Sequence, residues 1–215
     1  MHYKQHLAIE GKHAIISPSN YHWVDKDNLN DILTAKLKAY YATELGTAVH
    51  LYAKDRIQAH IKLTKSEKNG VLFSLIRDQR IPRRAIDIDY IFPNLMNYVN
   101  DAIALRMDPE IVLAYSSVAF GTVDTIKFEN DILRIHDLKT GLSPVSMKQL
   151  EQYAALFFLE YGEIEDAHPE HTQVELRIYQ NNDVQVLQPE PDRILSVMDQ
   201  IVYASDFVQK QLMEG

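Results

Sequence analysis

The chain of 215 residues contains no cysteine. A disulfide framework, a zinc ribbon and an iron–sulfur cluster all depend on thiols, so the sequence excludes each of them as a support for the fold. The chain also has no apolar run near the roughly 18 residues needed to span a bilayer, and its first residues lack the apolar core of a signal peptide. We therefore expect a cytoplasmic protein with no membrane partner.

An excess of positive charge is also missing, since 22 basic residues face 30 acidic ones, for a net charge of −8. Taken alone, this total disfavours a nucleic-acid partner, because phosphate binding depends on lysine and arginine. The charge is unevenly distributed, however: residues 1–106 hold 15 bases and 11 acids, whereas residues 107–215 hold 7 and 19. The stretch from Lys54 to Arg84 has nine bases against three acids. It is either a solvated face or a surface for a polyanion.

No repeat, low-complexity tract or linker divides the chain, so we expect one domain over residues 1–215, helical up to about residue 107 and carrying a sheet from about 108. Two helices meeting near Gly46 and a loop at Lys65 to Gly70 are expected in the first part. Spacing of apolar residues predicts further helices and strands: helices at 94–106, 146–161 and 194–212, and strands at 110–116, 120–128, 132–138, 173–179 and 184–187. The expected fold class is α/β (α+β), with a mixed central sheet flanked by helices.

Two acids and a lysine converge at the end of the predicted hairpin formed by strands 120–128 and 132–138. Side chains alternate along a strand, so Leu133, Ile135, Asp137 and Lys139 share one face, and Asp124 can reach the same rim from the neighbouring strand. Carboxylates and phosphate oxygens are the ligands that Mg²⁺ prefers, and a lysine can orient a water or stabilise developing charge. The alternative is a simple salt bridge at the rim of the sheet.

Four motifs occur in order around this hairpin. They are Gly46-Thr-Ala-Val-His50, Gly121-x-x-Asp124, Asp137-x-Lys139-Thr-Gly141 and Gln149-x-x-x-Tyr153. Together they resemble the PD-(D/E)XK nuclease superfamily, and within it the RecB-like and lambda-exonuclease-like branch. The likeness is greatest to small phage-encoded exonucleases without an iron–sulfur cluster. It implies a restriction-endonuclease-like core.

The resemblance also implies roles for individual residues. The implied ligands of Mg²⁺ or Mn²⁺ are His50, Asp124, Asp137 and the backbone carbonyl of Leu138, and Lys139 would be the catalytic lysine. Imidazole favours Mn²⁺, although His50 could instead be a core or cap histidine. Gln149 and Tyr153 would hold the lysine strand and contact the substrate, with ordinary helix packing as the alternative for Tyr153. Glu110 is a further candidate ligand or an exposed residue at a strand end.

Candidate contacts to nucleic acid lie outside the hairpin as well. Ser19 belongs to a polar and aromatic segment suited to phosphate contact and base stacking. Arg83 and Arg84 are candidates for a clamp on the substrate backbone. The resemblance implies a further contact to nucleic acid for Tyr153. His136 lies inside a motif but points to the opposite face of its strand, so we assign it no catalytic role.

The resemblance leads us to expect a Mg²⁺- or Mn²⁺-dependent deoxyribonuclease, and more narrowly a DNA exonuclease. It would act on linear single- or double-stranded DNA in phage recombination or DNA processing, in the cytoplasm of a bacterial host. A single-strand annealing or recombination protein is a candidate partner, and a homo-oligomer is a candidate assembly. The alternative is a catalytically inactive member of the fold that binds nucleic acid or protein, as a recombination accessory or anti-defence factor.

Overall fold

The computed structural model describes residues 14–18, 22–24, 26–78 and 81–214. Five strands form one mixed sheet, which helices flank. The elements in chain order are α1 (Leu29–Gln58), α2 (Lys68–Asp78), α3 (Ile88–Ala104), β1 (Asp108–Ser116), β2 (Ala119–Glu129), β3 (Ile132–Leu138), α4 (Lys148–Glu165), β4 (Gln173–Gln180), β5 (Asp183–Leu187) and α5 (Pro191–Glu214). Short 3₁₀ helices lie at Lys65–Glu67 and Arg83–Ala85.

Strand order in the sheet follows chain order, from β1 to β5. The first three strands form an antiparallel meander, β3 and β4 run parallel, and β5 returns antiparallel to β4. A parallel pair needs a long crossover connection, which here contains α4. Both hairpins after β2 and β4 turn through two residues with positive φ, Asn130–Asp131 and Asn181–Asn182, as expected of the turns whose twist matches that of the strands.

Two apolar clusters pack against the sheet. One joins α1, α2 and α3 to Leu138 and Tyr179, and the other joins α4 and α5 to strand residues that include Leu133 and Ile135. The alternation predicted for β3 is therefore confirmed, with Leu133 and Ile135 in one cluster and Leu138 in the other. None of the helices within the described residues combines the length and the hydropathy needed to cross a membrane.

Two predictions for the helical part were wrong. The chain from Leu29 to Gln58 is one continuous helix that passes through Gly46, because the flanking Leu45, Ala48 and Val49 are all buried and packing outweighs the glycine's intrinsic cost. The predicted loop at 65–70 is a 3₁₀ helix followed by the start of α2. Thr64 and Glu67 form a capping box there, in which each satisfies a backbone group of the other.

Candidate metal centre

The candidate site lies where β2 and β3 separate. Their ladder ends at the pair formed by Thr125 and His136, one step before Asp124 and Asp137 would face each other. The Asp124 carboxylate takes over from the backbone at this point, because its Oδ2 accepts a hydrogen bond of 3.0 Å from the Leu138 N–H. Beyond it, β3 stays attached to β4 through a 3.0 Å hydrogen bond from Lys139 N to Tyr179 O. At the end away from its turn, the β2–β3 hairpin therefore separates, and the Asp124 carboxylate lies between the two strands.

Helix α1 brings His50 to this opening. His50 Nδ1 lies 3.3 Å from Asp124 Oδ2. One turn earlier the helix passes the chain just after β3, where a Cβ added to Gly46 would lie 3.5 Å from Thr140 Oγ1. The Gly-x-x-x-His spacing therefore places both residues on the face of α1 that meets the ends of the strands. The alternative of His50 as a core histidine is not what the structure shows, because its ring contacts a carboxylate and stays partly exposed.

Glu110 joins the cluster from β1. Its neighbours Pro109 and Ile111 pair with Thr125 and Val123, so Glu110 stands across the ladder from Asp124. Its φ is +57°, a left-handed conformation that is uncommon for glutamate and that packing around the strand must hold in place. One ligand atom each from His50, Glu110 and Asp124 lie within 4.8 Å of one another. An imidazole nitrogen and two carboxylate oxygens at this separation could hold a divalent cation.

Asp137 and Lys139 form an ion pair beside these three groups. Lys139 Nζ donates to Asp137 Oδ1 over 3.0 Å and lies 2.9 Å from Oδ2. Asp137 is only 3% exposed, and both of its carboxylate oxygens lie within 3.0 Å of the Lys139 ammonium. We call His50, Glu110, Asp124, Asp137 and Lys139 the acidic cluster.

A hydrogen-bonded chain leads from the lysine to α4. Lys139 Nζ donates to Gln149 Oε1 over 3.1 Å, and Gln149 Nε2 donates to Tyr153 OH over 3.4 Å. The Tyr153 ring packs on Gly121 so closely that a Cβ there would lie 3.0 Å from Tyr153 Cε1. The glycine of the Gly-x-x-Asp motif therefore makes room for the tyrosine of the last motif. The chain positions the ammonium of Lys139 from the helix side.

Burial and neighbouring charges shift the pKa values of several residues in the acidic cluster. Burial and the charge of Asp124 raise the pKa of Asp137 to about 6, although Lys139 and His50 oppose them. Burial and Asp124 likewise raise the pKa of Glu110. For His50, burial lowers the pKa, but the hydrogen bond to Asp124 and the surrounding carboxylates outweigh it, so the pKa is raised overall. The charge of Asp124 thus resists the ionisation of both Asp137 and Glu110, which is the condition that a bound cation relieves.

The structure places the remaining predicted residues as follows. Ser19 lies outside the described residues. Arg83 Nη1 donates to the Ile86 carbonyl over 3.1 Å and so holds its own turn, while Arg84 is exposed beside it, and neither is among the bonded partners of the acidic cluster. The Leu138 amide donates to Asp124, so this peptide lies beside the acidic cluster, and the role of its carbonyl as a ligand stays a prediction. The prediction that His136 stands apart from the site is confirmed, since its buried ring contacts Tyr179.

Sequence reasoning missed two residues at the site. Tyr98 on α3 is buried below it, and burial together with the charges of Asp124, Asp137 and Glu110 raises the pKa of its phenol. No sequence signal separates this tyrosine from an ordinary core residue. Lys54 on α1 is close enough for its charge to act on Glu110. Its position four residues after His50 was the available signal, because such residues share a helix face.

Neither a scan against protein-family models nor a search of curated proteins found a match for the chain.

Proposed function

We propose that the protein is a metal-dependent nuclease of the PD-(D/E)XK superfamily, in its RecB-like and lambda-exonuclease-like branch, and that it hydrolyses phosphodiester bonds of DNA. The observation that carries the proposal is the convergence of three ligand groups within 4.8 Å of one another beside the buried Asp137–Lys139 pair. Three of the four motifs supply His50, Asp124 and the Asp137–Lys139 pair, and β1 adds Glu110 from outside the motifs. A single salt bridge at the rim would not account for a cluster with three carboxylates and a histidine.

The residues suited to hold Mg²⁺ or Mn²⁺ are His50, Glu110, Asp124 and Asp137. When bound, such a cation would lower the pKa of a water and offset the charge that develops on phosphorus. Lys139 would orient the attacking water or hold its proton, since its ammonium is fixed between Asp137 and Gln149. Tyr153 and Gln149 would keep the lysine in place and border the substrate strand. The phosphate would approach from the open end of the β2–β3 hairpin.

The finer features of the proposal follow from the resemblance. They are exonuclease action on linear DNA, a role in phage recombination or DNA processing, and a recombination partner or a homo-oligomer. The absence of cysteine from the chain agrees with the members of the branch that lack an iron–sulfur cluster. The acidic cluster also bears on the net charge of −8, which taken alone disfavours a nucleic-acid partner. Cation binding would offset negative charge at the place where phosphate must approach, so DNA binding should depend on divalent metal.

Digestion of linear and circular duplex DNA with Mg²⁺, with Mn²⁺ and with chelator tests the proposal. We expect loss of linear DNA only with metal, and loss of at least about a hundredfold of the rate in Asp137→Ala and Lys139→Met. Asp199→Ala, an exposed aspartate of α5, is the matched control and should keep full activity. Circular dichroism shows whether each variant stays folded.

Cleavage that survives in a folded Asp137→Ala or Lys139→Met protein would contradict the proposed nuclease. Binding of DNA that persists in chelator, with no cleavage under any metal, would support the inactive binding factor instead. Comparison of 5′-phosphorylated with unphosphorylated ends in the same digestion tests exonuclease action and polarity.

A further inference from the structure

Helix α1 crosses three strands in succession at the level where β3 ends. Gly46 lies at the chain after β3, His50 at Asp124 of β2, and Lys54 near Glu110 of β1. Four helical residues advance by about 6 Å, which is close to the roughly 4.8 Å between neighbouring strands. One residue per helical turn therefore meets one strand, and the third of these residues is a lysine that no motif includes.

The ammonium of Lys54 is near Glu110 but is not fixed by an acid, unlike several other basic groups of the molecule. Within the described parts of the chain Lys54 forms no hydrogen bond and no salt bridge, although its side chain is half-buried. By contrast, Arg56 pairs with Glu67, Lys68 with Asp89, and Lys127 with Asp108. The residues three and four positions from Lys54 on α1 include no acid. Its charge is thus available at the rim of the site.

The two lysines flank the cation ligands from opposite ends. Lys139 lies at the β3 end, where Asp137 and Gln149 hold its ammonium. Lys54 lies at the β1 end, beside the strained Glu110. Glu110 attracts the Lys54 ammonium, and this attraction opposes the rise in the pKa of Glu110 that burial and Asp124 cause. A lysine held near an acid by charge alone can turn to an incoming phosphate without breaking a hydrogen bond.

We propose that Lys54 binds a phosphate of the substrate strand on the β1 side of the cation ligands. This inference rests on the proposed nuclease function and adds a residue to its substrate path. Lysine acts on phosphate as a compact point charge and carries no base preference. Lys54 would therefore fix the register of the strand for any sequence, and it would act on binding rather than on the chemical step.

Steady-state digestion of labelled linear DNA at saturating Mg²⁺ tests this assignment with three variants. Lys54→Met keeps the apolar stem and removes the charge, Lys54→Arg keeps the charge, and Lys210→Met removes an equal charge from the far helix α5. We expect Lys54→Met to raise KM by about tenfold with kcat within about twofold, as for one lost charged hydrogen bond. Its kcat/KM should also depend less steeply on salt, by about one unit of the logarithmic slope.

Lys54→Arg should restore most of the KM, and Lys210→Met should behave as wild type. Mg²⁺ is kept saturating for every variant because the loss of Lys54 could change metal binding through Glu110. Such a change would alter the Mg²⁺ concentration that activity requires, and not the KM for DNA. An active wild type whose KM and salt slope are unchanged in Lys54→Met would overturn the Lys54 inference alone. So would an equal change in Lys210→Met. A wild-type protein that degrades no DNA would contradict the proposed function before any variant is compared.

Discussion

Two polar clusters meet β3 at neighbouring residues, and they differ in how their charges are balanced. Asp137 belongs to the acidic cluster, where three carboxylates face one paired lysine and a histidine. His136 belongs to a second group, which we call the balanced cluster. It consists of two acids, two arginines, a histidine and a tyrosine: Asp101, Glu175, Arg134, Arg177, His136 and Tyr179. The alternation of side chains along one strand separates the two clusters.

The acids and arginines of the balanced cluster pair with one another. Arg177 Nη2 lies 3.0 Å from Glu175 Oε1, and Tyr179 OH donates to Asp101 Oδ2 over 2.7 Å. The neighbouring His136 and the two arginines lower the pKa of Glu175, and burial lowers the pKa of His136. In the acidic cluster the pKa values of Glu110 and Asp137 are instead raised. The balanced cluster therefore favours the ionised form of Glu175. The acidic cluster disfavours the ionised forms of Glu110 and Asp137, and a bound cation could supply the missing positive charge.

The strongest test of this difference between the clusters is to remove one acid from each and to measure thermal unfolding with and without Mn²⁺. Glu175→Ala should lower the free energy of unfolding by about 2 kcal/mol, because it removes the carboxylate that pairs with Arg134 and leaves Arg177 with the longer contact to Asp101. Its melting temperature should still rise on adding Mn²⁺. Asp124→Ala should lose that rise, because the ligand shared by His50 and the Leu138 amide is gone.

Asp199→Ala serves as the control for both variants, with the stability and the Mn²⁺ response of the wild type. Loss of the Mn²⁺ response in Glu175→Ala, or its survival in Asp124→Ala, would show that the division into two clusters is wrong.

A second prediction uses pH in the absence of metal. The folded pKa of Asp137 is about 6, above its ordinary value of 3.8, so the folded state binds this proton more tightly than the unfolded state. Its contribution to stability is fully present below about pH 3.8 and is lost as the pH rises through 6. The raised pKa of His50 acts in the same direction, with its contribution lost as the pH rises above 6.5. The lowered pKa of His136 acts oppositely, since its contribution is lost as the pH falls below 6.5.

We therefore expect Asp137→Asn to stabilise the metal-free protein relative to wild type at pH 7.5, by on the order of 1 to 2 kcal/mol, and to lose most of that advantage at pH 5. Urea unfolding in chelator at both pH values measures it. The same comparison for His136→Gln should show no gain at pH 7.5. An Asp137→Asn advantage that is independent of pH would mean that ionisation of this carboxyl is not what costs stability.

Much of the sheet could be predicted from local signals, and the errors have physical causes. Alternating strands and the Asn130–Asp131 turn define the central hairpin within a few residues. The break expected at Gly46 does not occur, because tertiary contacts of α1 override a single glycine. The helix at Lys68–Asp78 was missed because its polar start hid the buried residues that follow. Local sequence does not encode such packing.

The candidate site was predictable only where residues share one strand or one helix. The proximity of Asp137 and Lys139 could be predicted from the alternation of side chains along β3. That of Gln149 and Tyr153 could be predicted from their spacing of one turn on α4. The balanced cluster was not predicted beyond the separation of His136, because Asp101 reaches it from α3 and Glu175 from β4. Likewise, the position of Lys54 depends on how α1 crosses the strands. Contacts between elements that are distant in the chain require the fold.

The smallest expected effect tests whether the acidic cluster can be disturbed from α4 alone. Gly121→Ala places a Cβ 3.0 Å from Tyr153 Cε1, so the ring must shift and carry Gln149 slightly away from Lys139. We expect kcat to fall by about threefold and the free energy of unfolding to fall by less than about 1 kcal/mol, since the ring is only partly buried and can yield. Gly70→Ala is the matched control, because a Cβ there meets nothing within 4 Å. That control should leave kcat unchanged and should slightly stabilise α2, as alanine does in helices. A Gly121→Ala enzyme with the kcat of wild type would mean that Tyr153 and Gln149 do not position the lysine, and that the acidic cluster holds Lys139 through Asp137 alone.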